Sequence, residues 1–309
     1  MPEAPTLEPP APAITAPPPL PWHQRPWGIL ALGVAIIAGS WLCAWIAGLL
    51  HWYTWSIGYY DHALSHEANR RVFEESPSAT ILSSLVMQGS AVMLALVFVQ
   101  ARNPERPTPA DLWITPTTLR PALWPIVILG SLGVLYVSGY ATQWLSYFGL
   151  LPETSPRYDA HYAAVARYEG PWAILAVLVM ALTAGIGEEI VCRGYILKGL
   201  LRSWRPFPAI LASSLLFAAA HFDPLYAISV LPIGMWFGYL AVRTRSITLA
   251  ITTHILIDLY GIGLYTLPRS LQDHTAFAVF AWAVFVISCL CIIPAVLILE
   301  RHQRATTVL

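Results

Sequence analysis

Charge is what this chain has least of. Asp, Glu, Lys and Arg make up 11% of its 309 residues, against about 25% in soluble domains. The 17 basic and 17 acidic residues cancel. No basic footprint for nucleic acid exists, and nucleic acid is excluded as a partner. Cysteine is scarce too. Cys43, Cys192, Cys289 and Cys291 all fall inside apolar runs, at spacings that fit neither a zinc pattern nor a disulfide framework. The H-E-x-x-H signature of a zinc metalloprotease is also missing.

Apolar residues are abundant, at 57%, and several runs reach the roughly 20 residues a helix needs to cross a bilayer. Eight such spans are expected, near 27–50, 80–100, 121–145, 174–201, 207–222, 226–242, 246–266 and 275–299. Runs this long and apolar satisfy their backbone in lipid only as helices; barrel strands are shorter and alternating. The expected fold class is therefore an all-α membrane protein, a polytopic bundle of about eight transmembrane helices around an intramembrane polar cavity, with the lipid bilayer as its first partner. Residues 1–26 hold ten prolines and predict a disordered tail. The transmembrane domain is expected over 27–300 and a short cytoplasmic tail over 301–309. The first apolar run starts near Trp27 and reaches Leu50, too late and too long for a cleaved signal peptide. Residues 109–120 predict an interfacial stretch, and Gly234 and Gly238 permit close helix packing.

Basic residues set the expected orientation. With the N-terminus in the cytoplasm, eleven Arg and Lys fall inside and five outside, Arg193 being counted as intramembrane. That asymmetry predicts both termini on the cytoplasmic side, in a bacterial inner membrane.

Ionisable side chains within a span are costly and are functional candidates by default. They fall in three spans only. The first cluster is GIGEEIVCRGY, residues 185–195. Residues four apart on a helix share a face, so Glu189 and Arg193 are predicted to pair. Glu188 points about 100° away and is left for chemistry as a general base. The second cluster is FAAAH, where Phe217 can pack on His221. The third is HILID, where Asp258 can orient His254. Counted at 1.5 Å per residue from the cytoplasmic ends, Glu188 and His221 lie about 20 Å deep and His254 to Asp258 about 12–18 Å. One slab of bilayer, and one cavity, can hold all four.

These motifs, in this order, resemble the CPBP family of intramembrane proteases (CAAX-processing and bacteriocin-processing, also called Abi). Its pattern is E-E-x-x-x-R, then F-x-x-x-H, then H-x-x-x-N or a close variant. The stretch IGMWFGYLAVRTRSITLAITTH also resembles the family's glycine-rich span, and the resemblance covers about 171–262. It implies a fold like that of the type II CAAX prenyl endopeptidase, and a membrane-associated protein or peptide substrate: a CAAX-type prenyl protein, a leader peptide or a membrane-anchored tail. It also implies site roles. Glu188 and His221 activate water, His254 and Asp258 face the oxyanion, and Glu189, Arg193 and Phe217 support them, with no cofactor. Position 258 departs from the family, where asparagine is commoner. An aspartate there donates to an oxyanion only when protonated; otherwise it only orients His254. Two other readings use the same residues. Zinc could be held by two histidines and carboxylates, although no H-E-x-x-H is present. A proton-coupled transporter also uses intramembrane Glu, His and Asp, but no inverted repeat or pair of broken helices is visible. A non-enzymatic scaffold would not need Glu188.

Overall fold

The structure, a computed structural model, describes residues 21–74, 76–102, 108–153, 165, 168, 170–267 and 269–307. Apart from the three-residue helix Lys198–Leu200, the described residues contain ten α-helices and no strand. They are α1 (Pro26–Tyr59), α2 (His66–Glu74), α3 (Pro77–Arg102), α4 (Trp124–Tyr147), α5 (Gly170–Glu189), α6 (Pro206–Ala219), α7 (Pro224–Thr244), α8 (Thr248–Thr266), α9 (Arg269–Gln272) and α10 (Thr275–Thr307). This is an all-α membrane protein. Six helices are long and apolar enough to cross a bilayer: α1, α3, α4, α5 with its continuation to Leu200, α7 and α10. The other two expected spans fall on shorter apolar helices, α6 and the Thr248–Leu264 part of α8.

The expected boundaries shift at four places. Most of the Pro-rich tail, residues 1–20, lies outside the described residues, and Pro26 already opens α1, where its missing N–H costs nothing. The last helix runs on to Thr307, so residues 301–307 of the expected tail are helical. The expected span 207–222 ends early, at Ala219. At about 1.5 Å per residue its 14 residues cover roughly 21 Å, short of the ~30 Å hydrocarbon layer. Pro224 is the cause, because a residue before proline avoids the helical region. Asp223 is accordingly extended (φ −135°), and its carboxylate accepts from the Tyr226 N–H to cap α7. Finally, α5 does not continue as a plain helix. An eight-residue π-helix, Ile190–Leu197, follows Glu189, and every residue in it is buried.

Small residues set the close approaches. A Cβ on Gly185 would lie 2.5 Å from Ile255 Cγ1 and 3.0 Å from the Ile255 backbone nitrogen, so α5 and α8 touch nearly backbone to backbone. Gly185→Ala should therefore lower stability by about 1–3 kcal/mol, the usual cost of overpacking. A melting temperature in detergent equal to that of the native protein would show that α8 yields freely. The expected interfacial stretch also has a structural task. The Trp113 carbonyl accepts from the Ile247 N–H at 3.0 Å, and the Thr115 carbonyl accepts from the Thr248 hydroxyl at 2.8 Å. The first turn of α8 is thereby fixed, and with it the register of His254.

Candidate active site

The ionisable residues of the apolar helices sort into a buried set and a set that reaches open space. Glu189 and Arg193 have fully buried side chains, and their ion pair closes at 2.7 Å. Arg193 is held three further ways. Its Nη2 donates to the Gly234 carbonyl on α7 at 2.7 Å. Its guanidinium lies 4.6 Å from the Phe217 ring centroid on α6 and 5.4 Å from that of Phe237 on α7. Gly234 makes this possible, since a Cβ there would lie 2.9 Å from the Phe217 ring.

Glu189 does more than neutralise Arg193. The Oε1 that accepts from Arg193 also lies 3.0 Å from His254 Nδ1. An ionised carboxylate only accepts, so Nδ1 carries the proton and donates. Glu189 thus orients the His254 ring through Nδ1, in addition to Asp258, the orienting group expected from spacing. Asp258 Oδ2 lies on the other side, 3.6 Å from Nε2. Phe237 stacks on the His254 ring at 4.9 Å and holds its plane.

Glu188 and Asp258 retain side-chain exposures of 22% and 25%, whereas Glu189 has none. Glu188 and Asp258 therefore face open space, and Glu189 does not. Glu188 Oε2 faces His254 Nε2 at 3.9 Å, and Glu188 Oε1 accepts from the Gln88 side-chain amide at 2.8 Å. The sequence reading left Glu188 without a partner and missed Gln88. A neutral amide in the middle of the apolar run of α3 is the signal that points to it.

His221 stands apart from this group. It lies in the turn after α6, not on the helix. Its Nδ1 is 2.9 Å from the Phe217 carbonyl oxygen, so Nδ1 donates and a neutral ring leaves Nε2 as acceptor. Its ring lies 5.2 Å from Phe217 and 4.9 Å from Tyr226. Phe217 links the two histidines, with its ring 6.0 Å from that of His254. The next residue, Phe222, has φ 53°, a left-handed conformation unusual for a bulky side chain. Glu188, His221, His254 and Asp258 all line one cavity of about 570 Å³, with Gln88, Cys192 and Asp223 among the other walls. No group of three His, Cys, Asp or Glu side chains that could hold a metal ion occurs among the described residues. Chemically, the arrangement offers a carboxylate open to the cavity, a histidine whose Nε2 can accept, and a second histidine clamped from behind.

Residues 170–260 match the family described as Rce1-like, type II CAAX prenyl endopeptidase Rce1-like. No curated protein and no solved structure matches the chain. The matched stretch runs from the start of α5 into α8 and contains Glu188, Glu189, Arg193, Phe217, His221, His254 and Asp258.

Proposed function

We propose that this chain, whose residues 170–260 match the Rce1-like family of type II CAAX prenyl endopeptidases, is an intramembrane endopeptidase in which Glu188 and His221 activate water against a peptide bond. The observation that carries the proposal is the convergence of Glu188, His221, His254 and Asp258 on one cavity. Water enters beside Glu188 Oε2 and the acceptor Nε2 of His221. Glu188 takes a proton as the oxygen attacks the scissile carbonyl, and the proton passes to the departing amine nitrogen. The carbonyl oxygen becomes an oxyanion facing His254 Nε2 and Asp258, where donors are worth most because little water is present. No metal is required by these steps. The substrate is a membrane-associated protein or peptide, with a prenylated C-terminal segment as the first candidate. The excess of basic residues in the segments assigned to the inside supports a cytoplasmic position for both termini.

Native and Glu188→Ala forms, compared in cells, test the proposal. The variant should accumulate uncut membrane-anchored proteins that the native form trims, and a prenylated reporter peptide in vesicles should be cut only by the native form. Equal processing by both forms overturns it.

Position 258 tests the oxyanion assignment separately. His254 donates Nδ1–H to Glu189, so a neutral ring cannot also donate from Nε2. The oxyanion donor is then either the imidazolium or a neutral Asp258 carboxyl. If Asp258 donates, Asp258→Asn should keep activity within about threefold, since an amide N–H also donates. Asp258→Leu should lose roughly 100- to 1,000-fold, the range for a missing oxyanion donor. If the two variants lose equally, the carboxylate is needed as a charge beside His254. Chelators should leave the native enzyme active; strong inhibition reversed by added zinc would overturn the metal-free scheme.

A further inference from the structure

Gln88 lies on α3, ahead of the matched stretch, and is 7% exposed. Two observations describe its seat. Its Nε2 donates to Glu188 Oε1 at 2.8 Å. The oxygen of the same amide hangs over the preceding residue, Gly187, where a Cβ would lie 2.6 Å from Gln88 Oε1 and 2.9 Å from Gln88 Cβ. The dipeptide Gly187–Glu188 is therefore the docking site of one side-chain amide. Gly187 supplies the space and Glu188 the acceptor.

A general base must keep one oxygen lone pair aimed at water, and a free glutamate side chain sweeps several rotamers. Occupying Oε1 leaves Oε2 as the oxygen presented to His254 and the cavity. A lysine or arginine at position 88 would hold the carboxylate too, but its charge would weaken Glu188 as a base. A neutral amide orients without that penalty. Apolar residues at 88 would leave the base unheld.

We propose that Gln88 is the positioning residue of Glu188, a role that rests on Glu188 being the general base. Misplacing a reacting group by about 1 Å can cost about 100-fold. Gln88→Leu should accordingly lower kcat by roughly 10- to 100-fold, per folded molecule, while KM for a prenylated reporter peptide stays within about twofold. Gly187→Ala, which keeps Gln88 but fills its seat, should lower kcat similarly. The double variant should fall no further than the worse single, because both remove one contact. Gln88→Asn keeps a buried amide but is one methylene short, and it too should lose kcat at a native melting temperature. That variant separates positioning from mere folding.

Glu188→Gln, measured alongside, keeps the two claims apart. If Glu188→Gln cuts like the native form, the general-base reading fails whatever Gln88 does. If Glu188→Gln is dead but Gln88→Leu and Gln88→Asn keep native kcat, positioning fails and the base reading stands. Additive losses in the double variant also overturn positioning. Infrared difference spectra read the contact without substrate. The carboxylate stretch that disappears in Glu188→Gln should shift in Gln88→Leu, and an unshifted band overturns the proposal.

Discussion

Glu188→Gln and His221→Ala should each lower hydrolysis by at least about 100-fold and up to about 10,000-fold, the range set by loss of a general base, while both proteins still insert and fold. The glutamine keeps the shape of Glu188 and can still meet the Gln88 amide through its own oxygen, so the seat survives and the lone pair for proton transfer does not. Glu188 is also outside the buried ion pair, whose closure at 2.7 Å involves Glu189 and Arg193. Removing its charge leaves no buried group orphaned. His221 has its Nδ1 tied to the Phe217 carbonyl, and alanine there leaves that helix-terminal oxygen to be satisfied by water from the cavity that Phe217 and His221 both line. Both losses should therefore appear in kcat and not in the melting temperature. Normal cleavage by either purified variant would remove that residue from water activation.

Much of this could be read without coordinates, and the reasons are particular. A bilayer demands long apolar helices, so the runs that became α1, α3, α4, α5, α7 and α10 were visible as composition. Charge inside such runs is so costly that Glu188, Glu189, Arg193, His254 and Asp258 marked themselves. The motifs quoted over about 171–262 coincide with the family match over 170–260, and the resemblance stands. What escaped was geometry without a compositional mark. The π-helix Ile190–Leu197 is an ordinary apolar run in sequence. The sharing of Glu189 Oε1 between Arg193 and His254 joins α8 to the end of α5, and no spacing rule along one helix can reveal it. The early end of α6 is legible in Asp223–Pro224, although the apolar run itself continues to Phe222. Gln88 is neutral, so no charge within the apolar run of α3 marks it.

Arg193→Ala should cost far more stability than Glu188→Gln, because Arg193 is the point where three helices meet the site. Its guanidinium reaches Glu189 on α5 and the Gly234 carbonyl on α7, and it packs on Phe217 of α6. Glu189 in turn holds His254 of α8. Alanine removes the cation and leaves a fully buried carboxylate facing one histidine nitrogen. Breaking a buried pair by removing one partner costs about 3–5 kcal/mol, most of it the penalty of the stranded charge. Arg193→Lys should recover only part, since an ammonium lacks the planar fork that serves Glu189 and Gly234 together and stacks on Phe217. A second change separates charge from packing. In the Arg193→Ala background, Glu189→Gln should restore stability, because the stranded charge is gone, yet activity should not return, because His254 has lost the carboxylate behind its ring. Thermal unfolding in detergent of the native protein, Glu188→Gln, Arg193→Ala and the double variant decides the matter. Equal melting temperatures for Arg193→Ala and Glu188→Gln would show that the pair contributes nothing. A double variant no more stable than Arg193→Ala would show that lost packing, not the unpaired Glu189, is the cause.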